Sequence, residues 1–445
     1  MIPRQNGGFF LSMNSQELYS YFLNSTGISI DTRTVEAGNL FFALKGDNFN
    51  GNEYAQKALE SGASFAIVDE VEYTGTNCIL VDDCLKSLQE LASFHRDSLS
   101  GSIQIFGLTG SNGKTTTKEL VYEILKKKYK VKATIGNLNN HIGVPLSLLR
   151  IKKGDEIGII EMGANHQKEI EFLCKICKPD IGYITNFGKA HLEGFGGIEG
   201  VIKGKGELYD YLRQNQGLAL VNQEDSLQME LSADISRKVF GKENSKSPDF
   251  FIEEIANYSS GNSFVKIGLG SQEIQTNLTG HYNFNNISAA IALGLYFNIE
   301  QAHIKDALES YFPTNNRSQI EITPKNQLII DAYNANPSSM EGAINNLQQI
   351  SAKSKWMILG DMFELGEYEE AEHQKVIEIA SKMNFERVIF VGEAFCKSKL
   401  PSQKQLYFNS TEALISYLEK ELPEDKTILI KGSRGMKLER CIPLL

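Results

Sequence analysis

The stretch Gly110–Thr117 has residue types and spacing suited to holding phosphate. It follows an apolar run and precedes a helical pattern, which is the context that a phosphate-binding loop requires. Glycines let backbone N–H groups approach phosphate oxygens, and the N-terminus of the following helix adds partial positive charge. We expect Lys114 to bridge the β- and γ-phosphates of a nucleotide and the Thr115 hydroxyl to bind Mg²⁺.

The spacing of this loop departs from the generic pattern G-x-x-x-x-G-K-T. That pattern requires a first glycine where Leu108 stands, whereas Gly107 comes one place early. The alternative is a glycine turn at a strand–helix junction, but Gly-Lys-Thr at such a junction rarely arises by chance. The predicted nucleotide-binding residues of the loop are Gly110, Ser111, Asn112, Gly113, Lys114, Thr115 and Thr116.

Short apolar runs alternate with helical patterns along most of the chain. This alternation is typical of α/β proteins, in which crossover helices connect buried parallel strands. Helices are predicted between most of the strands, including Thr115–Lys128 and Ser410–Glu421. The predicted strands are Ile103–Thr109, Ile157–Glu161, Ile181–Thr185, Leu218–Val221, Gln327–Asp331, Trp356–Leu359, Arg387–Val391 and Thr427–Ile430.

A chain of 445 residues predicts roughly three domains. We place them at residues 1–100, 101–313 and 314–445, because a Ser/Gly-rich cluster lies near residue 100 and Pro313 ends a helix before an Asn-rich turn. The first domain contains a strand-like run, Phe41–Leu44, and a helix that ends near Gly62. Residues 225–280 are polar and strand-like, and we expect an added β region there.

Composition and charge narrow the functional classes. With 41% hydrophobic and 22% charged residues the chain is typical of a soluble globular protein. A net charge of −10 argues against a dedicated duplex nucleic-acid binder but leaves room for a local basic site. Without a long apolar run or a signal-peptide pattern, a cytoplasmic location is expected. Residues 1–12 receive no function, because Met13 offers an alternative start.

Two further patterns are interpreted as structural. Cys174 and Cys177 have C-x-x-C spacing, which also suits a redox or zinc pair. No second cysteine pair lies nearby, and the segment reads as an apolar helix, so we expect buried thiols. Six cysteines in the whole chain do not make a disulfide scaffold. The acidic run Glu367–Glu372 is predicted to be a solvated first helical turn.

The loop Thr109–Thr116 resembles that of the Mur ligases, the ATP-dependent amide ligases of peptidoglycan precursor synthesis. Related loops occur in folylpolyglutamate synthetases. Other segments narrow the resemblance to the branch that adds D-alanyl-D-alanine to UDP-N-acetylmuramoyl-tripeptide, and it extends from about Ser29 to Met436. These segments are Gly136–Pro145, Glu161–His166, Thr185–Glu193, Asp331–Pro337, Leu359–Gly366 and Lys431–Met436.

The resemblance implies a three-domain architecture: an N-terminal domain for the UDP substrate, a central P-loop ATP-binding domain and a C-terminal Rossmann-like domain. It implies that ATP phosphorylates the tripeptide carboxylate to an acyl phosphate, which the amine of D-alanyl-D-alanine attacks with release of phosphate. The implied cofactors are ATP and Mg²⁺, and the implied partners are the two peptide substrates. We expect no nucleic-acid partner and a monomeric enzyme. Domain closure is expected to assemble the site. The third residue of the tripeptide, diaminopimelate or lysine, stays open.

Catalytic and metal-binding roles follow by resemblance. Glu161 is expected to bind Mg²⁺ with Thr115, and His191 to contact a second Mg²⁺. Lys205 matches a lysine that is carbamylated in Mur ligases and so becomes an anionic metal ligand. The alternatives are a helix-capping role for Glu161, a structural role for His191 and a solvated position on a helix for Lys205. The nearby Lys203 competes with Lys205 for the role of the carbamylated lysine.

The resemblance also places nucleotide contacts outside the loop. Asn283 and Asn286 are expected near the adenine, although either amide suits an N-cap of the helix that follows. Arg317 and Asp331 are expected to bring phosphate and ribose contacts from the last domain, since a guanidinium binds phosphate bidentately. Tyr333 and Asn334 follow at the carboxyl end of a strand, where α/β sheets bind ligands. The alternative there is an Asn-rich turn before a helix.

Substrate contacts form the last predicted group. Thr32, Arg33 and Lys45 lie in segments that resemble the UDP-binding part of the family. Asn137, Asn139 and Asn140 are nearly as well suited to hydrogen bonds within their own loop. The candidates for the muramoyl-peptide and dipeptide are Asn137, Asn139, Asn140, Asn336, Asp361, Ser433 and Arg434.

Two other functional classes compete with this hypothesis. A sister ligase would use the same ATP chemistry with a different amino acid, but the Asp331–Pro337 string argues against it. A nucleotide-regulated switch protein would hydrolyse ATP independently of both peptide substrates. A purely structural α/β protein would leave the Gly110–Thr117 loop and Glu161 unexplained.

Overall fold

The computed structural model describes residues 2–3, 9–10, 13–242, 247–255, 264–314, 316–399 and 405–445. The chain divides into two compact units. The first contains Met1–Leu108, Tyr129–Gly163 and Glu169–Gly182, and the second contains Thr109–Lys128, Ala164–Lys168 and Tyr183–Leu445. Most of the extension 1–12 lies outside the described residues, so its lack of function stays a prediction.

The first hundred residues form a small parallel sheet with helices. The order of its four strands is β3-β4-β7-β8, and every pairing is parallel. Strand β4 is fully buried, as the apolar run predicted. The elements are β1 (Ile2–Pro3), β2 (Phe9–Phe10), α1 (Ser15–Leu23), β3 (Ile28–Ser29), β4 (Leu40–Phe42), β5 (Lys45–Gly46), β6 (Phe49–Asn50), α2 (Ala55–Glu60), β7 (Phe65–Val68), β8 (Cys78–Leu80) and α3 (Cys84–Ser98).

The next two hundred residues alternate strands with helices and then add a small antiparallel sheet, β16-β17-β18. In the first unit, β10, β11 and β9 are parallel neighbours in that order. In the second unit, β13, β14 and β15 are parallel. The elements are β9 (Gln104–Thr109), α4 (Lys114–Leu125), β10 (Val131–Ala133), α5 (Gly143–Leu149), β11 (Ile157–Glu161), α6 (Glu169–Cys177), β12 (Ile181–Ile184), α7 (Leu192–Phe195), α8 (Ile198–Gln214), β13 (Leu218–Asn222), α9 (Ser226–Leu231), β14 (Arg237–Gly241), β15 (Phe250–Phe251), β16 (Glu253–Ile255), β17 (Phe264–Leu269), β18 (Gln272–Thr279), α10 (Tyr282–Tyr296) and α11 (Gln301–Ser310).

The last 130 residues form a six-stranded sheet in the second unit, with strand order β19-β20-β24-β21-β22-β23. All pairings are parallel except the edge strand β19, which is antiparallel to β20. Its core is built from buried residues such as Leu328, Ile358 and Ile430. The elements are β19 (Gln319–Ile322), β20 (Asn326–Asp331), α12 (Pro337–Gln349), β21 (Lys355–Gly360), α13 (Glu369–Lys382), β22 (Arg387–Val391), α14 (Glu393–Lys397), β23 (Gln405–Phe408), α15 (Thr411–Leu418) and β24 (Lys426–Lys431).

The predicted strands are all present, and Ile157–Glu161 and Arg387–Val391 have the predicted bounds. The β region expected in residues 225–280 is present, with parts outside the described residues, and it also contains the unpredicted helix α9. The described residues contain no helix that is long and apolar enough to cross a membrane. The proposed domain boundaries stay a prediction.

The two patterns interpreted as structural have different outcomes. Cys174 and Cys177 are fully buried on α6 beside Met162, with sulfur–sulfur distances of 3.8 and 3.6 Å, so the prediction of buried thiols is confirmed. Burial raises the pKa of Cys177 to about 12, which keeps this thiol protonated. The prediction of a solvated acidic turn is wrong for Glu372, which is 5% exposed and pairs with Lys189 and Lys375.

A buried histidine on α3 predicts loss of stability in acid. His95 is 4% exposed, lies 2.7 Å from the carbonyl oxygen of Ile151 through Nε2 and is 3.1 Å from the Tyr19 hydroxyl through Nδ1. Burial lowers its pKa below the ordinary 6.5. The unfolded chain therefore takes up a proton near pH 6.5 while the folded chain does not, and the free energy of unfolding falls as pH falls below that value.

Urea unfolding between pH 8 and 5 tests this expectation. We expect the wild-type protein to lose more stability over this range than the variant His95→Gln, which has no titrating ring. The exposed His303 supplies a matched control, since His303→Gln should keep the wild-type pH slope. Equal slopes for all three proteins would contradict this role of His95.

Candidate functional site

The phosphate loop lies directly after β9 and is fixed by backbone geometry that requires glycine. Gly110 and Gly113 have φ angles of +140° and +82°. A Cβ atom at Gly110 would lie 2.0 Å from Oγ1 of Thr185, and one at Gly113 would lie 2.3 Å from Oδ1 of Asn286. Neither position therefore accepts a side chain, and Gly113 directly precedes the first residue of α4. Gly107, in contrast, is a packing residue, because its Cβ would lie 2.9 Å from Pro179.

The segment after β12 supports the loop from one side. Thr185 donates its hydroxyl to the carbonyl of Asn112 over 2.5 Å, and the Asn186 amide binds the backbone N–H and carbonyl of Asn112. The Ser111 hydroxyl donates to the carbonyl of Gly188 over 2.6 Å. The loop is thus held in an open curve by its own unit, which is the preorganisation that anion binding by backbone groups requires.

Lys114 begins α4, and its ammonium group folds back over the loop. Nζ donates to the carbonyl of Gly110 over 2.6 Å and to that of Ser111 over 3.3 Å. The positive charge is therefore inside the curve of the loop, next to the N-terminus of a 12-residue helix. The hydroxyl-bearing Thr115 is 7% exposed on the first turn of the same helix.

Asn283 and Asn286 lie behind the loop and are buried. Asn286 accepts a hydrogen bond from Thr117 Oγ1 over 3.2 Å and donates to Oδ1 of Asn283 over 2.9 Å. Asn283 donates in turn to the carbonyl of Thr279. The alternative role as N-cap is wrong, because His281 occupies the cap of α10 and both asparagines lie inside the helix. Their contact with adenine stays a prediction.

Glu161 ends β11 in the first unit and is 1% exposed. Its backbone pairs in register with Leu108, two residues before the first glycine of the loop. The side-chain amide of Asn139 donates to Oε1 of Glu161 over 2.9 Å. This orienting contact was not predicted, since Asn139 was considered as a substrate contact. Glu161 does not cap a helix, because the next helix, α6, begins eight residues later, at Glu169.

Lys205 is buried, so the alternative of a solvated lysine is wrong. It is 1% exposed, donates to the carbonyl of Ala164 over 3.0 Å and has its ammonium 4.9 Å from the centre of the Phe195 ring. The competing Lys203 is exposed. A lysine that reaches a buried position beside a backbone carbonyl is positioned rather than freely solvated.

His191 lies at the N-terminus of the short helix α7 in a left-handed conformation, with φ of +53°. Its Nδ1 contacts the carboxylate of Glu364, from the loop after β21. This hydrogen bond lowers the pKa of Glu364. The backbone N–H of Glu193 donates to the carbonyl of the same glutamate over 3.2 Å. The proximity of these two side chains was not predicted.

Residues at the start of α12 contact the phosphate loop and the segment after β12 within the second unit. The side-chain amides of Asn112 and Asn336 exchange two hydrogen bonds, of 3.3 and 2.8 Å. The Ser338 hydroxyl accepts the backbone N–H of Lys189 over 2.9 Å, and the Lys189 ammonium binds Glu372 over 2.7 Å. Asn336 thus contacts the loop, and it also caps α12.

Two arginines flank one tyrosine at the carboxyl ends of β20 and β24. The Arg317 guanidinium lies 3.5 Å from the centre of the Tyr333 ring, and the Arg434 guanidinium lies 5.3 Å from it. The buried Lys431 binds Asp331 over 2.6 Å and the carbonyl of Asn334 over 3.1 Å. This cluster concentrates positive charge at the strand ends, which suits an anionic group.

The remaining candidates of the C-terminal sheet have structural contacts. Both carboxylate oxygens of Asp361 accept backbone N–H groups at the start of α14, from Ala394 over 2.9 Å and Phe395 over 3.0 Å. Ser433 accepts the backbone N–H of Phe363 over 3.0 Å. Roles for these two residues in binding D-alanyl-D-alanine stay predictions.

The candidates for UDP binding lie in the first unit. A cavity of about 410 Å³ opens beside the β5–β6 hairpin. Among the described residues, Lys45 lines this cavity, whereas Thr32 and Arg33 do not. The Lys45 ammonium forms an ion pair with Asp69 over 2.9 Å. Arg33 instead binds Asp31, which lowers the pKa of that carboxyl to about 2.

In the same unit, the predicted peptide contacts around residues 137–140 are engaged within their loop. The Asn140 side chain accepts the backbone N–H groups of Ile142 and Gly143, at 3.1 and 2.9 Å. The carbonyl of Asn137 accepts the N–H of Asn139 over 2.8 Å. Asn140 therefore takes part in hydrogen bonding within its loop, and contact of these asparagines with the muramoyl-peptide stays a prediction.

The residues of the phosphate loop and its surroundings suit the binding of a nucleotide with Mg²⁺. The two loop glycines allow a backbone curve that packs directly against Thr185 and Asn286, and a lysine and a threonine hydroxyl stand beside this curve. Among the described residues, no group of three or more His, Cys, Asp and Glu side chains is arranged to hold a metal ion. Mg²⁺ characteristically completes its shell with substrate phosphates and waters around one or two carboxylates, so the donor set suits this ion only together with a nucleotide.

Comparison with known proteins identifies relatives that match most of the chain. Three family models match: "Mur ligase family, catalytic domain" over residues 24–96, "Mur ligase middle domain" over 108–294 and "Mur ligase, glutamate ligase domain" over 316–434. The UDP-N-acetylmuramoyl-tripeptide–D-alanyl-D-alanine ligase of Bacillus subtilis is 33% identical, covering 94% of this chain and 92% of its own length.

Two solved structures are similar in fold and sequence. A MurF from Acinetobacter baumannii has a TM-score of 0.83 at 28% identity and covers 97% of this chain and 98% of its own. The MurF ligase of Thermotoga maritima, solved in complex with ADP, has a TM-score of 0.81 at 27% identity and covers 95% and 97%.

Proposed function

Because the chain belongs to the Mur ligase family, we propose that it is an ATP-dependent ligase that joins D-alanyl-D-alanine to UDP-N-acetylmuramoyl-tripeptide. The observation that carries the proposal is the phosphate loop with Lys114 folded into it, in a chain that is 33% identical over 94% of its length to a ligase of that activity. The products are the UDP-muramoyl-pentapeptide, ADP and phosphate. The enzyme acts in the cytoplasm as a monomer, with domains at 1–100, 101–313 and 314–445.

The nucleotide is held by the loop Gly110–Thr116, and Lys114 neutralises charge on its β- and γ-phosphates. Arg317, Asp331, Tyr333 and Asn334 contact it from the C-terminal sheet. The cluster of positive charge around Tyr333 supports this role, since transfer of a phosphoryl group to a carboxylate brings two anions together. Asn283 and Asn286 fix the loop from behind and border the adenine.

Mg²⁺, when bound, polarises the γ-phosphate and screens its charge from the attacking carboxylate. Thr115, Glu161, His191 and a carbamylated Lys205 are the residues that would hold it. The burial of Glu161 and Lys205 supports this assignment, because each carries its polar group to a buried position beside a backbone or amide partner. Asn139 orients Glu161 by donating to its Oε1.

The reaction has two steps. The tripeptide carboxylate attacks the γ-phosphorus, the bond to the β–γ bridging oxygen breaks, and ADP leaves. The amine of the dipeptide then attacks the acyl carbon, loses a proton and expels phosphate, so one ATP is consumed per amide bond. Contact between Asn336 and the phosphate loop links the C-terminal sheet to the nucleotide site, which supports assembly of the site by domain closure.

The UDP moiety is assigned to the first domain, with Thr32, Arg33 and Lys45 as contacts. The cavity beside Lys45 supports this for the lysine, whose charge is balanced by Asp69 and Glu70 until an anion binds. Asn137, Asn139, Asn140 and Asn336 border the muramoyl-peptide.

Phosphate release measured with each component omitted in turn tests the proposal. We expect release to require ATP, Mg²⁺, UDP-N-acetylmuramoyl-tripeptide and D-alanyl-D-alanine together. Release with the UDP-peptide and a different amino donor would move the protein to a sister ligase. Release from ATP alone, unaffected by either peptide substrate, would contradict the proposal and favour a nucleotide-hydrolysing switch protein. Tripeptides ending in diaminopimelate or lysine, assayed side by side, determine the third residue.

A further inference from the structure

Three neighbouring strands present a row of side chains at one edge of the C-terminal sheet. Strands β20, β24 and β21 are adjacent and parallel, so their carboxyl ends lie together. Tyr333 follows β20, Arg434 follows β24 and Phe363 follows β21. Ligands of open α/β sheets bind at this edge. Tyr333 and Arg434 already have proposed roles, whereas the exposed ring of Phe363 has none.

Phe363 presents an exposed apolar ring from a loop whose backbone is hydrogen-bonded to the loop after β24. Its ring is 44% exposed, although the neighbouring Met362 and Leu365 are buried. Its backbone N–H donates to Oγ of Ser433 over 3.0 Å, and the backbone N–H of Ser433 donates to the carbonyl of Asp361 over 3.1 Å. The loop after β21 and the loop after β24 are therefore joined through Ser433, directly beside the backbone of Phe363.

The residue facing this ring is glycine. A Cβ at Gly435 would lie 2.6 Å from Cε2 of Phe363, so a side chain there would displace the ring. The preceding residue, Arg434, is exposed and places its guanidinium 5.3 Å from the Tyr333 ring. Gly435, which faces the Phe363 ring, directly follows Arg434, so an apolar ring and a guanidinium are presented by two adjoining loops. These two groups match the methyl group and the carboxylate of a C-terminal alanine residue.

We infer that Phe363 is a specificity-determining residue for the acceptor dipeptide. It forms the wall against the methyl group of the C-terminal D-alanine while Arg434 binds the carboxylate of the same residue. This inference rests on the proposed function. The wall favours a methyl side chain over hydrogen, which leaves the ring in water, and over larger branched side chains, which collide with it.

Steady-state kinetics with D-Ala-D-Ala, D-Ala-Gly and D-Ala-D-Val tests the inference. For Phe363→Ala we expect KM for D-Ala-D-Ala to rise about tenfold with kcat within about twofold, in line with the worth of one hydrophobic contact in a pocket. The preference for D-Ala-D-Ala over each of the other two dipeptides should fall by about the same factor. KM for ATP and for the UDP-tripeptide should not change.

Two variants serve as references. Phe363→Leu retains an apolar wall and should keep most of the preference. Phe312→Ala removes a phenylalanine that is 67% exposed and distant in sequence from this row, and it should match the wild type. A Phe363→Ala variant with the wild-type unfolding temperature and unchanged dipeptide preference would overturn the inference alone. Absence of dipeptide-dependent turnover in the wild type would overturn the proposed function first, and the inference with it.

Discussion

Replacement of Lys114 by alanine is expected to lower kcat by about a thousandfold, because it removes the cation from the inside of the phosphate loop. Nζ of Lys114 lies 2.6 Å from the carbonyl of Gly110, so the charge is placed at the loop before any substrate arrives. Its transfer to the phosphates costs little reorganisation. Phosphate release at saturating substrates measures the effect.

The control for this prediction is Lys203→Ala, which removes an exposed lysine of α8 and should leave kcat unchanged. Thermal unfolding of both variants distinguishes lost chemistry from lost folding. Turnover of Lys114→Ala within about tenfold of the wild type, in a folded protein, would contradict the phosphate-loop interpretation.

The second large effect is expected for Glu161→Gln. The substitution keeps the shape of the side chain and an oxygen that can accept from Asn139, but it removes the charge expected to bind Mg²⁺. We expect kcat to fall about a hundredfold and the Mg²⁺ concentration for half-maximal activity to rise. A magnesium titration of the wild type and the variant provides both values.

Two further variants make this result specific. Asn139→Ala, which removes the orienting amide, should produce a smaller change in the same direction, about tenfold. Glu199→Gln, at an exposed position of α8, should have no effect on either value. An unchanged magnesium dependence in Glu161→Gln would show that this carboxylate does not act on the metal.

The phosphate loop and the strands before the site residues were predictable because their signals are local. An apolar run ending in Gly-Ser-Asn-Gly-Lys-Thr specifies a strand, a turn with positive φ angles and a helix, and all three are present in that order. Similarly, strand β11 has the predicted bounds up to Glu161, since a run of five buried residues is sufficient to define it.

The contacts that orient the site residues could not be predicted, since they join distant parts of the chain. Asn112 and Asn336 are 224 residues apart, and neither residue type identifies its partner. The contact between His191 and Glu364 also joins residues that are far apart in the chain, and it leaves no periodic pattern. The burial of Glu372 was mispredicted for the same reason, because its partner Lys189 is distant in sequence.

The fate of one oxygen atom tests the central claim most directly. UDP-N-acetylmuramoyl-tripeptide with ¹⁸O at both oxygens of its terminal carboxylate is incubated with ATP, Mg²⁺ and D-alanyl-D-alanine. The masses of the products are then determined by mass spectrometry. We predict a UDP-muramoyl-pentapeptide that has lost one ¹⁸O and an equimolar amount of phosphate that has gained it, as attack by the carboxylate on the γ-phosphorus requires. Unlabelled phosphate without pentapeptide would contradict the account, because water and not the substrate carboxylate would then have attacked ATP.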